Sequence, residues 1–252
     1  MITHEPLFMG KNVIQFEEID STNVYAAELI AKTNPVEGTC IISDFQSAGK
    51  GQIGRYWHSE AGKNILASFI LYPKNLAATD QFYLNIMSGL AVMDVVSSFC
   101  KDVSIKWPND IYVQNKKIAG ILVQNTLRGK DVKSTIIGIG LNVNESAFPH
   151  DLPNPTSLAL ETDTFFALEY IRLHVSARLE YYYNKLNAKH LPSIKQQYLN
   201  HLYRKNIQSG YLLSDETKIN GVITGIDHDG RLLINIDGKI TPFAFREISY
   251  II

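Results

Sequence analysis

Apolar positions along the chain alternate between two periods, and the changes of period mark its elements. Val24, Ala27, Leu29 and Ile30 share one side of a helix. Asp20-Ser21-Thr22-Asn23 offers N-cap side chains ahead of them, and Asn34-Pro35 ends the run. Thr39 to Asp44 is β-branched and reads as a buried strand leading into a glycine-rich loop, and Asn64–Leu71 reads as a second strand. Gln81–Phe99 carries Phe82, Ile86, Met87, Leu90, Met93 and Phe99 at helical spacing, which assigns both methionines to the core.

Val103–Lys106, Asp110–Gln114 and Ile118–Gln124 read as short strands, with Asn115-Lys116 as the turn between the last two. Thr126–Lys133 is polar and contains Gly129, which predicts a mobile loop. Ser134–Asn142 is a further strand; Gly138 and Gly140 inside it mark close backbone approach rather than phosphate binding. A long amphipathic helix is predicted from Asp163 to Asn187, and a second helical stretch to Tyr203. From Asn206 the pattern changes to short β-rich runs broken by Asp227–Gly230 and by Asp237-Gly238, both hairpin signals. An α+β chain ending in a small SH3-like barrel follows.

Composition narrows the function classes. The 252 residues carry 24 basic and 25 acidic side chains, a net charge of −1 that gives no electrostatic footprint for nucleic acid. No apolar run approaches the ~18 residues of a membrane span, and the N-terminus lacks the pattern of a secretory signal. Cys40 and Cys100 lie in apolar surroundings and form no C-x-x-C pair, so buried reduced thiols and a cytoplasmic location are expected. The seven histidines are scattered without metal-ligand spacing. No G-x-S-x-G elbow and no G-x-x-x-x-G-K-[ST] loop is present.

GKGQIGR, Gly49 to Arg55, matches the dinucleotide-binding glycine pattern, but its context is wrong. A strand rather than a helix follows, and Lys74 stands near where an acidic residue would be needed. The loop still offers unhindered backbone N–H groups flanked by Lys50 and Arg55, which suits an anion. Lys106-Trp107-Pro108-Asn109-Asp110 sets a cation, a carboxamide and a carboxylate beside a proline, and Lys117 stands at the mouth of the apolar run Ile118–Leu122. Both tryptophans, Trp57 and Trp107, fall in these polar motifs.

Together GKGQIGRYW, KWPND and KKIAGILVQ, with STN at Ser21–Asn23 and GIGLNVN at Gly138–Asn144, closely resemble biotin–protein ligases in order and spacing over nearly the whole chain. The resemblance implies a class II synthetase-like mixed β-sheet with helices packed on it, in a catalytic domain over residues 1–204. The C-terminal SH3-like domain would cover residues 205–252. It implies that biotin and ATP give biotinyl-5′-adenylate, from which biotin passes to a lysine of a biotin carboxyl carrier domain. Lys117 would be the central cation between carboxylate and α-phosphate, with Lys50 and Arg55 at the phosphate end. Ser21, Thr22, Asn23 and Gln46 would meet the ureido ring. Lys50, Gly51, Gln52, Lys117 and Gly120 would complete the biotin site. Gly49, Arg55, Trp57, Asn109, Lys117 and Asn142 would hold ATP or the adenylate, and Asp110 would recruit Mg²⁺. The glycine loop would close as a lid over the intermediate.

The loop departs from the family in carrying Gln52-Ile53 where an arginine pair is usual, which bears on how tightly an adenylate is retained. Some relatives add an N-terminal DNA-binding domain, whereas twenty residues precede Ser21, so the form without a repressor domain is expected. Relatives often dimerise through the catalytic sheet, which makes a homodimer an expectation. Two rival readings are a lipoate or octanoate ligase or transferase of the same fold, and a biotin-binding module without catalysis. Biotin-dependent exchange of pyrophosphate into ATP separates them.

Overall fold

The computed structural model describes residues 5–52 and 56–252. Its larger sheet is built from β1 (Val13–Ile19), β2 (Cys40–Gln46), β3 (Ile65–Leu71), β4 (Val103–Lys106), β5 (Asp110–Val113), β6 (Lys116–Arg128) and β7 (Asp131–Leu141). The spatial order is β1-β2-β3-β7-β6-β5-β4. β1 and β2 run parallel and the remaining neighbours antiparallel. The parallel pair needs a long crossover, which α1 (Thr22–Lys32) supplies.

β3 is buried at every position because both of its faces are covered. Ile65, Ala67, Phe69 and Leu71 join the main core with residues of α2 (Phe82–Ser97) and α4 (Leu168–Asn187). Ile70 instead packs with Ala26, Ile41 and Ile136 beneath α1. The period-2 alternation of the strand thus serves two cores. Both methionines of α2, Met87 and Met93, are in the main core, as their spacing implied.

The chain closes with α3 (Leu158–Thr162), α4, α5 (Leu191–Asn200) and an antiparallel sheet of β8 (Gln208–Leu213), β9 (Lys218–Ile226), β10 (Leu232–Ile236), β11 (Lys239–Phe243) and β12 (Ile248–Tyr250). Its order is β11-β10-β9-β8-β12. The α+β class with a mixed sheet and a small β-rich end is therefore the fold observed. The two sheets meet at Trp107, whose indole Nε1 donates to the Gly230 carbonyl at 2.8 Å. Gly230 has φ +83, and a Cβ there would lie 2.2 Å from the Phe82 ring, so only glycine serves this turn.

Three expectations need correction, and one strand was missed. Residues 126–133 form no mobile loop: β6 and β7 continue as a hairpin in which Arg128 pairs with Asp131 around Gly129. The ladder outruns the core, so polar side chains hid a regular backbone. The long helix begins at Leu168, not Asp163; Asp163 adopts a left-handed conformation (φ 51) that ends the short α3. The turn before β6 is Gln114-Asn115, with Gln114 at φ 53 and Lys116 already in the strand. β1 was not foreseen, because VIQFEEI is an edge strand with no buried position and shows no apolar run.

Candidate active site

Beyond the part covered by α1, one face of the large sheet is paved with glycine. Gly140 of β7 pairs with Gly120 of β6, and Gly138 pairs with Leu122. A Cβ at Gly138 would fall 2.2 Å from Asn23 Oδ1 and one at Gly140 2.3 Å from Trp57 Cε2. At Gly120 it would fall 2.8 Å from Trp57 Cζ3. Side chains lie flat on this backbone, and any larger residue would lift them.

At one end of the trough lies a hydroxyl and amide cluster. Ser21, Thr22 and Asn23 open α1 and are buried. Ser21 is the N-cap, yet its hydroxyl makes no capping bond. Gln46 Oε1 accepts the Thr22 backbone N–H at 2.7 Å and its hydroxyl at 3.0 Å. The Ser68 hydroxyl lies 2.7 Å from Thr22 Oγ1 and 2.6 Å from Asn23 Oδ1. Asn23 Nδ2 donates to Gln124 Oε1 at 2.9 Å. Ser68 and Gln124 escaped the sequence reading. A serine within ILASFIL looks like small filler, and the available signal was its sharing of the Ile70 face under α1.

At the other end, Lys117 Nζ is 2.7 Å from Asp110 Oδ1, both side chains half-buried. The same ammonium stands 5.5 Å from the centre of the Trp57 ring, within cation–π range. The Lys117 backbone is held on both sides: its N–H donates to the Asn154 carbonyl at 2.8 Å, and its carbonyl accepts the Thr156 N–H at 2.9 Å. Asn142 Nδ2 donates to the Thr156 carbonyl at 2.9 Å, which ties this strap to β7. Asn142 Oδ1 and Trp57 Nε1 are buried without a hydrogen-bond partner. Such an atom costs about 1–3 kcal/mol until something pairs with it, so a ligand carrying a donor and an acceptor is the natural complement.

The KWPND motif divides. Its Trp107–Pro108 peptide is cis. Lys106 Nζ lies 2.9 Å from the Tyr112 hydroxyl and over the Tyr250 ring. Asn109 braces the motif to β6, donating from Nδ2 to the Ile121 carbonyl at 2.8 Å.

The glycine loop starts from β2. The Trp57 N–H donates to the Gly49 carbonyl at 3.0 Å, and Lys50 pairs with Tyr56, which closes the base of the loop. Gly49 is buried at that base, Lys50 is exposed, and Gly51 and Gln52 continue the rising arm. Arg55, with Ile53 and Gly54, lies outside the described residues, as does that part of the expected lid.

Known proteins place this arrangement. The model of the biotin/lipoate A/B protein ligase family matches residues 15–142. The bifunctional ligase/repressor BirA of Escherichia coli is 30% identical over 95% of this chain and 74% of its own length. The bifunctional ligase/repressor BirA of Bacillus spizizenii is 40% identical over 60% of this chain, which spans 47% of that relative. Against the Bacillus proteins, then, the chain spans about half the length of its curated relatives. Among solved structures, a biotin protein ligase from Aquifex aeolicus in complex with biotin and ATP superposes with a TM-score of 0.78 at 29% identity, covering 95% of this chain and 98% of the other. The chain belongs to the biotin/lipoate A/B protein ligase family, and its relatives there are biotin ligases.

Proposed function

We propose that this protein activates biotin with ATP and then transfers it to a lysine of a biotin carboxyl carrier domain. The biotin carboxylate attacks the α-phosphorus, the bond to the β-phosphate oxygen breaks, and pyrophosphate leaves. The carrier's neutral amine then attacks the acyl carbon of the mixed anhydride, AMP departs with the electron pair, and the nitrogen loses its proton as the amide forms. The observation that carries this reading is the Lys117–Asp110 pair set under Trp57, at the far end of the trough from the hydroxyl and amide cluster. The Aquifex relative with biotin and ATP bound supports it.

Joining two anions requires a fixed cation between them, and a preoriented ammonium stabilises the charge that builds in the transition state. Lys117, pinned by the strap from Asn154 to Thr156, is that cation. Lys50 and Arg55 would receive the phosphate end, with Gly49 at the loop base. Gly51 and Gln52 would border biotin on the same loop. Ser21, Thr22, Asn23 and Gln46 supply the mixed donors and acceptors that a ureido ring needs, and Gly120 leaves depth for the apolar part of the ligand. The orphan Asn142 Oδ1 suits an exocyclic amine of a purine, and Trp57 offers a ring to cover it.

Asp110 and the Asn109 carboxamide are oxygen donors of the hard type that Mg²⁺ prefers, and one carboxylate plus substrate phosphates is a usual set for that ion. Asp110 has a second carboxylate oxygen beyond the one that meets Lys117. Bound there, Mg²⁺ would neutralise charge on the phosphates. The assignment of residues 1–204 to catalysis and 205–252 to a small accessory domain belongs to the same proposal, as do a cytoplasmic site of action and a homodimer. No helix among the described residues is long and apolar enough to cross a membrane.

Incubation with biotin, ATP, Mg²⁺ and a purified carrier domain should add one biotin to the carrier by mass. A lipoate ligase would instead charge the carrier with lipoate, and a binding module would show no biotin-dependent pyrophosphate exchange.

A further inference from the structure

Directly after Trp57, the segment leaving the glycine loop meets a buried acid. The Glu145 side chain is fully buried. Its Oε2 accepts the Glu60 backbone N–H at 3.0 Å and a bond from the Asn64 amide. Oε1 has no hydrogen-bond partner. A carboxylate in such a position is costly unless a positive charge compensates it. Among the described residues the group within ion-pair reach is His58, whose Nε2 stands 3.8 Å from Oε1 with its own side chain 39% exposed.

The other charged groups nearby are engaged. Glu60 pairs with Lys63 at 3.4 Å on the same segment. On α3, Glu161 accepts from Lys116 at 2.8 Å and from Thr156 at 2.5 Å. Glu145 is itself fixed from the α3 side, where the Ser157 hydroxyl donates to its carbonyl at 2.5 Å. The imidazole therefore faces a rigid, buried carboxyl group on one side and is partly exposed on the other.

We propose that His58 and Glu145 are an anchoring pair that positions the returning arm of the glycine loop, and with it Trp57 over Gly120 and Gly140. The pair clamps the arm immediately beyond the Trp57–Gly49 bond that closes the loop base. Without the pair the indole is held less firmly against the sheet, so protection of the loop base and ligand capture should both fall. Both are positioning residues; the effect on ligand capture rests on the ligase reading above, whereas the effect on the loop does not.

Two measurements separate those layers. The first is tryptic cleavage after Lys50 in the ligand-free protein. His58→Gln and Glu145→Gln should be cleaved there several-fold faster than the wild type. The second is biotin-dependent pyrophosphate exchange: His58→Gln should raise the KM for biotin several-fold while changing kcat less than twofold, with rescue by His58→Arg. If His58→Gln is cleaved after Lys50 at the wild-type rate, the anchor is wrong. His58 is exposed, so this variant should fold even if Glu145→Gln does not. Faster cleavage of His58→Gln, with no exchange by the wild type, would overturn the ligase reading and leave the anchor standing.

Discussion

The ammonium of Lys117 and the carboxylate of Asp110 lie 2.7 Å apart across the β5–β6 pair, with Trp57 capping the lysine. The pair keeps the ammonium aimed while leaving it partly open to solvent. Lys117→Ala should lower the rate of biotin-dependent pyrophosphate exchange by about 10²–10³-fold, the usual cost of removing one preoriented group that stabilises the transition state. A stopped assay that follows labelled pyrophosphate into ATP checks this. Exchange within threefold of wild type would remove Lys117 from the chemistry.

Filling the glycine trough should abolish capture of biotin without touching the lysine. Gly138→Ala drives a methyl to 2.2 Å from Asn23 Oδ1 and dislodges the amide that Ser68 and Gln124 hold. Calorimetry should show biotin affinity lowered by at least about tenfold, equivalent to about 1.4 kcal/mol.

Ser68→Ala tests the buried hydroxyl string more gently. Ser68 has one proton and two acceptor neighbours, so its removal leaves Thr22 and Asn23 free to reorient. The KM for biotin should rise about three- to tenfold, in line with loss of about 1 kcal/mol per hydrogen bond. The KM for ATP should stay where it was, since this cluster lies at the end of the trough away from Lys117.

Much of this site was legible in advance because its chemistry is packed into a few short runs. Asp110 and Lys117 stand seven positions apart on adjacent strands, and the turn between those strands is visible in the sequence. The glycines of β7 were readable as close-approach positions, since glycine inside a strand has few other uses. Ser68 and Gln124 were not readable. Their role depends on which face of β3 and β6 meets α1, and an all-apolar strand carries no face label. β1 and the far end of the β6–β7 hairpin were hidden for the opposite reason: they are held by backbone bonds where little is buried, so no hydrophobic period records them.

Trp107→Phe should loosen the join between the two sheets. It removes the donor to the Gly230 carbonyl and leaves that acceptor in a buried contact. A loss of about 1–3 kcal/mol is expected, read as a lower urea midpoint.

Alkaline pH should destabilise the fold through Cys40. Burial pushes this thiol from 9.0 up to about 12. Above pH 9 the unfolded chain therefore gives up a proton that the folded chain keeps. The unfolded state binds fewer protons, so stability falls as pH rises from 9 towards 12, by up to about 1.4 kcal/mol per pH unit for this one group. Urea titrations at pH 8 and pH 10 measure the drop, and Cys40→Ala should reduce it.

The strap that grips Lys117 sets a lower limit on a minimal working fragment. The family match stops at residue 142, whereas the Asn154 carbonyl and the Thr156 amide that brace the lysine come later in the chain. A truncation ending at the matched boundary would retain Asp110, Lys117 and Asn142 and still lose aim. Anyone trimming this protein for fusion or display should keep the chain intact past Thr156.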